Sequence, residues 1–293
     1  MISPSSNIYL PQLKETWKIV FGDSDDYIRL FFKYKYRHEE TLLYTENGKV
    51  RSMLFFPQYE LKIRQSPHKI GYICGTATRQ EFRGRGFMDK LLERAFSVMS
   101  ARGCEFAVLI PATKELGDFY AKYGFRPLFK KGVARYVNEP RHKENNSPVS
   151  LVRFNDAAKI IRIYNDVVKD RNGVVLQDIN TYNAVLKIHR LYGEAYLIRD
   201  KNRKDEGYLF CGLEKSADVL IVKEIVAKKD LMARAAQALF RIYGAQKIVF
   251  EGMAGGLLPF TKIKDAGMIK TLKNNVGASE PGADYPYMNM MLD

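Results

Sequence analysis

Leu91, Leu92, Ala95, Phe96 and Met99 recur at the spacing of one helical face and predict a helix over residues 88–99. The apolar run 72–78 lies before it and predicts a strand, so Arg83-Gly84-Arg85-Gly86 falls in a strand-to-helix turn. Residues 106–111 read as a buried strand. Earlier, Phe21-Gly22-Asp23-Ser24-Asp25-Asp26-Tyr27 reads as a helix stop followed by an Asp/Ser N-cap with acids in the next first turn.

The second half repeats that order. Periodicity predicts helices over 154–169 and 179–191, strands over 195–198, 207–213 and 219–226, a helix over 230–243 and a strand over 247–251. A short helix over 259–264, then Gly267-Met268, then a strand over 287–292 complete the pattern. Between the halves, 138–148 is polar and bracketed by prolines, the composition of a linker. Two domains, 1–137 and 149–293, are therefore expected, and 293 residues suffice for two cores.

Composition narrows the function classes. With 46% hydrophobic and 27% charged residues the chain is of ordinary globular type. No apolar run approaches the ~18 residues that span a membrane, and the N-terminus lacks the regions of a secretory signal. Cys74, Cys104 and Cys211 are scattered and odd in number, which argues against a disulfide framework and fits a reducing cytoplasm. His38, His68, His142 and His189 have no ligand spacing, so no metal is expected. The net charge of +14 favours anionic ligands, but its basic residues are spread along the chain and form no nucleic-acid motif. No specific nucleic-acid partner and no membrane are expected; the oligomeric state is left open.

The turn at 83–86 carries the chemistry. The first N–H groups of a helix have no internal partner, glycine leaves them unscreened, and the helix dipole favours an anion there. With Arg83 and Arg85 added, the turn reads as a pyrophosphate cradle. A dinucleotide fingerprint would need a third glycine, where Met88 and Asp89 stand, and a P-loop would need Gly-Lys-Ser/Thr.

Ala77-Thr78-Arg79-Gln80-Glu81-Phe82-Arg83-Gly84-Arg85-Gly86-Phe87-Met88 resembles the acetyl-CoA loop of the GNAT superfamily of N-acetyltransferases. The family pattern Arg/Gln-x-x-Gly-x-Gly/Ala is matched by Arg83 and Gly86, and Met88 departs from its last small residue. About thirty residues on, Phe119-Tyr120-Ala121-Lys122-Tyr123-Gly124-Phe125 resembles the family's Phe-Tyr-x-x-x-Gly-Phe helix end. The resemblance covers residues 8–135. It implies an α+β fold, a mixed and mostly antiparallel sheet flanked by helices. It further implies acetyl-CoA as cosubstrate, held by Thr76, Ala77, Thr78, Arg83, Gly84, Arg85, Gly86, Phe87 and Met88. The implied reaction is direct attack by a primary amine of a small molecule or peptide, with Tyr120 as general acid; a phenol is still protonated at neutral pH.

Other chemistry-bearing residues have plainer readings. Cys74 reads as a small buried hydrophobe, with no histidine nearby in sequence to activate it. No general base is identified: Glu60 lies in an alternating strand, and Asp23, Asp25 and Asp26 fit helix capping. The aromatics Trp17, Phe21, Tyr27, Phe31, Phe32, Tyr34 and Tyr36 are dense enough to line a substrate cleft, with several serving as core.

Matching the element orders sets Met232 against Arg83, Ala235 against Gly86 and Ile263 against Tyr120. The second half thus reads as a degenerate, catalytically silent GNAT-like domain. Tandem domains of this kind resemble the Eis-like (enhanced intracellular survival) acetyltransferases, here without their third, sterol-carrier-like domain. A C-terminal carboxylate enters the active site in that family, a role not carried over to Asp293. A non-catalytic acetyl-CoA-binding or sensing protein is the alternative expectation.

Overall fold

The computed structural model describes residues 1–138, 149–213, 218–228, 230–256, 258–273 and 285–288. Of the expected linker only Asn138 is among them. The chain forms two compact units. One holds Met1–Pro127 with residues 267–273, the other Leu128–Ala266 with residues 285–288.

The first unit opens with β1 (Ile2–Pro4), α1 (Leu10–Phe21) and α2 (Asp25–Tyr34). Gly22 ends α1 at φ 72°, and the Ser24 hydroxyl caps α2 by accepting the Tyr27 N–H, as the sequence predicts. Strands β2 (Thr41–Glu46), β3 (Lys49–Phe55), β4 (Gln58–Ile63), β5 (Ser66–Tyr72) and β6 (Cys74–Thr78) follow. Then come α3 (Phe87–Ala101), β7 (Phe106–Leu109) and α4 (Lys114–Ala121). The amphipathic helix predicted over 88–99 is α3, and its Leu91, Leu92, Ala95 and Met99 are fully buried against Leu42, Leu54 and Phe56.

The apolar run 72–78 is not one strand. β5 runs parallel to β7 as far as Tyr72 opposite Val108, and the Ile73 N–H still reaches Val108 O at 2.8 Å. Beyond that point β6 leaves β7 and pairs antiparallel with β3. The β3–β6 register slips between Met53 and Phe55, placing a bulge at Gly75 and Thr76. Gly75 takes φ 54°, a backbone conformation that suits glycine. The strands splay as a result.

The second unit contains β8 (Arg126–Val137, from Leu128 on), β9 (Ser150–Arg153), α5 (Ala157–Val168), β10 (Val174–Leu176) and α6 (Ile179–His189). It continues through β11 (Gly193–Arg199), β12 (Asp205–Leu213), β13 (Val219–Ala227), α7 (Met232–Tyr243) and β14 (Lys247–Gly252). The pairing β9–β11–β12–β13 is antiparallel, β13–β14 is parallel and β14–β8 is antiparallel. Ala235, Ala236 and Leu239 of α7 pack on Leu220, Val222, Ile248 and Phe250 of this sheet.

One sequence expectation fails here. Residues 259–264 form no helix; β15 (Lys262–Thr271) starts instead. Pro259 supplies no N–H, the Thr261 N–H donates to Val133 O at 3.0 Å, and the Phe260 ring fills the space over Gly132. Tertiary pairing overrides the local pattern. Of the strand expected over 287–292, Tyr287 makes a parallel bridge to Val174, and residues 289–292 lie outside the described residues.

Neither unit is contiguous in sequence. Met268–Thr271 at the end of β15 pair antiparallel with Leu109–Phe106 of β7. Gly132–Val137 of β8, placed by the sequence reading in the first half, pair with β14 in the second unit.

His189 yields a pH prediction. It is 4% exposed, and its Nε2–H is shared between Glu194 O (3.2 Å) and Cys211 O (3.0 Å). Burial depresses its pKa from 6.5 to about 4, so the unfolded chain binds the extra proton between those values. Stability is therefore full above pH 6.5 and falls as pH drops toward 4, by up to roughly 3 kcal/mol. Denaturant titrations across this window should show the loss, and His189→Gln should flatten it.

Candidate active site

The turn at 83–86 takes the backbone conformation its glycines permit. Gly84 and Gly86 take φ 76° and 70°, and Gly86 is the N-cap of α3 with no side-chain cap on the first helical N–H groups. A cleft of about 260 Å³ opens there, lined by Thr78, Phe82, Arg83, Gly84, Gly86, Phe87, Met88, Asp89 and Phe119. Six of the residues expected to hold the cosubstrate thus share one cleft. Arg83 is oriented by a hydrogen bond from its Nε to Thr78 O at 3.2 Å. Unscreened helix donors, glycines and a guanidinium beside a cleft fit a pyrophosphate-bearing ligand.

The remaining three stand apart. Arg85 does not line the cleft; its guanidinium lies 5.2 Å from the Phe82 ring centroid. Ala77 is buried, and its carbonyl accepts from Ser52 Oγ at 3.0 Å. Thr76 lies at the bulge, with its Oγ1 2.8 Å from the Tyr120 hydroxyl. That contact brings the second motif onto the splayed strand.

Tyr120 reaches this point from α4, whose first turn is capped by the Thr113 hydroxyl accepting the Leu116 N–H. Gly124 at φ 83° then turns the chain so that the Phe125 N–H returns to Tyr120 O. The Tyr120 side chain is buried in the core with Leu91, Leu92 and Phe125, leaving its hydroxyl on Thr76. Burial raises its pKa, the Thr76 hydrogen bond opposing, so the phenol stays protonated through the neutral range. A protonated phenol can donate a hydrogen bond or a proton.

Cys74 sits two residues away, and burial pushes its thiol up to about 12. A neutral thiol is a poor nucleophile, as the sequence reading expects, although Cys74 is half-buried rather than a fully buried core residue. The acids of the N-terminal region are occupied: Asp23 accepts from Trp17 Nε1 at 2.7 Å, Asp25 pairs with Lys18 and Asp26 with Arg29. Glu60 is exposed and lies opposite Lys69. The aromatics expected to line a cleft mostly pack on one another. Trp17 contacts Phe21, Tyr27, Phe31, Phe32 and Phe55, the closest centroids being 4.2 Å apart. Tyr36 joins through Phe32 and Phe55. This cluster is core, and it supports the bulge: a Cβ on Gly75 would lie 2.6 Å from Phe55 and 2.7 Å from Trp17.

Sequence reasoning missed Phe82, Asp89 and Phe119 as cleft residues. Asp89 is in the first turn of α3 and accepts from the Tyr123 hydroxyl, a partner 34 residues away that no local signal announces. That contact and, above all, desolvation raise the Tyr123 pKa.

The corresponding places in the second unit differ. Leu231 is the N-cap of α7, and the carboxylate of Asp230 just before it accepts the Met232 N–H at 3.2 Å. The parallel pairing of β13 with β14 continues past a bulge to Ile225 opposite Gly252. Ile263 is exposed on β15.

Comparison with known proteins follows this geometry. Residues 2–128 match the acetyltransferase (GNAT) domain. The matched stretch takes in the splayed strands, the turn at 83–86 and Tyr120. A conserved Enterococcus faecalis protein is similar in structure, with TM-score 0.73 at 14% identity over 93% of this chain and 72% of that one. A GCN5-related N-acetyltransferase from Anabaena variabilis has TM-score 0.73 at 18% identity over 93% and 73%. Eis1 from Mycobacterium abscessus has TM-score 0.68 at 13% identity over 93% and 74%. No curated protein matches by sequence. These structures share the fold, and the match over residues 2–128 supports acyl transfer in general terms. No described helix is long and apolar enough to cross a membrane.

Proposed function

We propose that this chain is a cytoplasmic N-acetyltransferase moving acetyl from acetyl-CoA to a primary amine of a small molecule or peptide, without an acyl-enzyme. The contact of the buried Tyr120 hydroxyl with Thr76, where β6 leaves β7, carries this reading. Bound acetyl-CoA would supply an activated thioester. The amine nitrogen forms a bond to its carbonyl carbon and loses a proton to solvent, the carbon–sulfur bond breaks, and Tyr120 gives its proton to the departing sulfur and regains one from solvent. Main-chain groups of Gly75, Thr76, Ala77 and Thr78 on the side vacated by β7 hold the pantetheine arm and face the carbonyl oxygen. Arg83 and the α3 N-terminus hold the pyrophosphate. A module that only sensed acetyl-CoA would need the cradle but not a phenol poised on Thr76. Release of CoA thiol across an amine panel tests the reading; no release with any amine would overturn it.

The second half is taken as a silent GNAT-like copy, in a tandem arrangement like that of the Eis-like enzymes. The Asp230 carboxylate on the Met232 N–H at the start of α7 and the continued β13–β14 pairing support this, since both occupy what the first unit leaves open.

The cradle can be tested by binding. Arg83→Ala should weaken acetyl-CoA binding about ten- to hundredfold, the worth of one charge-assisted phosphate contact. Gly86→Glu should do at least as much, placing a carboxylate on the anion site. Calorimetry with unchanged affinity in both variants would remove the cradle assignment.

A further inference from the structure

Arg79 follows the last residue of β6 and lines no part of the cleft. Its guanidinium turns instead to α1: Nε donates to Thr16 Oγ1 at 3.1 Å, and a terminal nitrogen donates to the Glu15 carboxylate at 2.9 Å. Thr16 is fully buried, whereas Glu15 is exposed. The buried contact is the firmer anchor, because water and salt weaken an exposed ion pair. The main chain of Arg79 is fixed as well. Its N–H donates to Arg51 O at 3.2 Å, and its carbonyl accepts the Phe82 N–H at 2.9 Å.

The next residue of α1 holds the other end of the same segment. Trp17 packs on Gly75, where a Cβ would come within 2.7 Å of its ring. Gln12, about one turn before Thr16, accepts the Val50 N–H at 2.8 Å and fixes α1 to β3. Glu15, Thr16 and Trp17, consecutive on one helix, thus grip the chain at Gly75 and just past Thr78. Between the grips lies Thr76, against which the Tyr120 hydroxyl rests. A strand held at both ends keeps its rise of about 3.3 Å per residue. That rise fixes how far the Thr76–Tyr120 contact stands from the turn at 83–86.

Resting on the acetyl-transfer reading, we propose that Arg79 is a positioning residue: with Glu15 and Thr16 it braces β6 against α1 and sets the spacing between the Tyr120 hydroxyl and the turn at 83–86. Arg79 touches no reacting atom. It acts through the main chain of residues 76–78, so that a thioester anchored at the turn meets the proton donor in register. A misplacement of about 1 Å at a reacting centre costs about a hundredfold in rate, while an anchor remote from that centre binds as before. The brace therefore governs turnover and leaves affinity for the donor alone.

Single-turnover acetyl transfer by the full chain, with the amine that releases CoA thiol fastest from wild type, tests this beside calorimetry with acetyl-CoA. Arg79→Ala should lower the transfer rate about ten- to hundredfold and change acetyl-CoA affinity less than about threefold. Arg79→Lys, with one nitrogen in place of a fork, should fall between it and wild type. Glu15→Arg combined with Arg79→Glu should recover most of the rate lost in Arg79→Glu alone, because the exchanged pair re-forms the brace. An arginine with a merely structural role would lower the melting temperature without that split or that recovery. If Arg79→Ala does not fold, the exchange variant decides alone. Wild-type rate in folded Arg79→Ala, an affinity loss as large as the rate loss, or no recovery in the folded exchange variant would each overturn the brace and leave the acetyl-transfer reading intact. No CoA release by wild type with any amine would instead overturn that reading, and the brace with it.

Discussion

Tyr120→Phe is expected to lower turnover by about 10²–10⁴ while leaving acetyl-CoA affinity nearly unchanged. The substitution keeps the ring, and so the packing against Leu91, Leu92 and Phe125. It removes one hydroxyl whose work begins as charge develops on sulfur. The Thr76 hydroxyl loses its partner, a cost of about 1 kcal/mol that a melting curve would register. The alkaline side of the rate profile gives an independent check. Burial raises the phenol pKa, so the protonated donor persists above the ordinary tyrosine value, and a decline due to Tyr120 should begin only beyond it. Single-turnover acetyl transfer at wild-type rate in a folded Tyr120→Phe protein would transfer the acid role to another group.

The largest effect on stability is expected at Gly75. In Gly75→Ala the new Cβ would meet Phe55 at 2.6 Å and Trp17 at 2.7 Å, both ring atoms of a packed aromatic cluster. The left-handed φ of 54° adds about 1–2 kcal/mol for a residue with a Cβ. Overpacking a filled core costs about 1–3 kcal/mol more, so a loss of roughly 2–5 kcal/mol is expected in denaturant unfolding. Because Thr76 is the neighbouring bulge residue, the variant should also disturb the Thr76–Tyr120 contact and slow transfer. A stable, fully active Gly75→Ala protein would show that the bulge geometry is dispensable.

Much of the first unit was legible because its signals are local. The Leu91–Met99 stripe, the Ser24 cap and the glycines at 84, 86 and 124 each act within a few residues. The splay was not legible. Residues 72–78 are continuously apolar, and only Gly75 hinted at a bulge. Arg85 looked like a cradle residue since it sits between two glycines, yet Phe82 draws it aside, an aromatic contact that spacing cannot report. Near Phe260 and Thr261 the helical reading failed because partners at Gly132 and Val133, far away in sequence, decide the conformation. The dense aromatics of α1 and α2 were read both as a cleft lining and as core, and composition could not say that most of them face one another.

The pairing of β15 with β7 has a consequence during synthesis. A ribosome delivers Met1–Pro127 complete with cradle and Tyr120, but the strand that covers the β7 edge is translated only after the intervening 128–266. At about 5–20 residues per second that interval is roughly ten to thirty seconds. Throughout it, Phe106–Leu109 presents an open, wholly buried-type edge of the kind that invites mispairing. The nascent first unit therefore has its strand-to-helix turn and Tyr120 translated before its sheet is sealed, and this last pairing waits for β15 to be read.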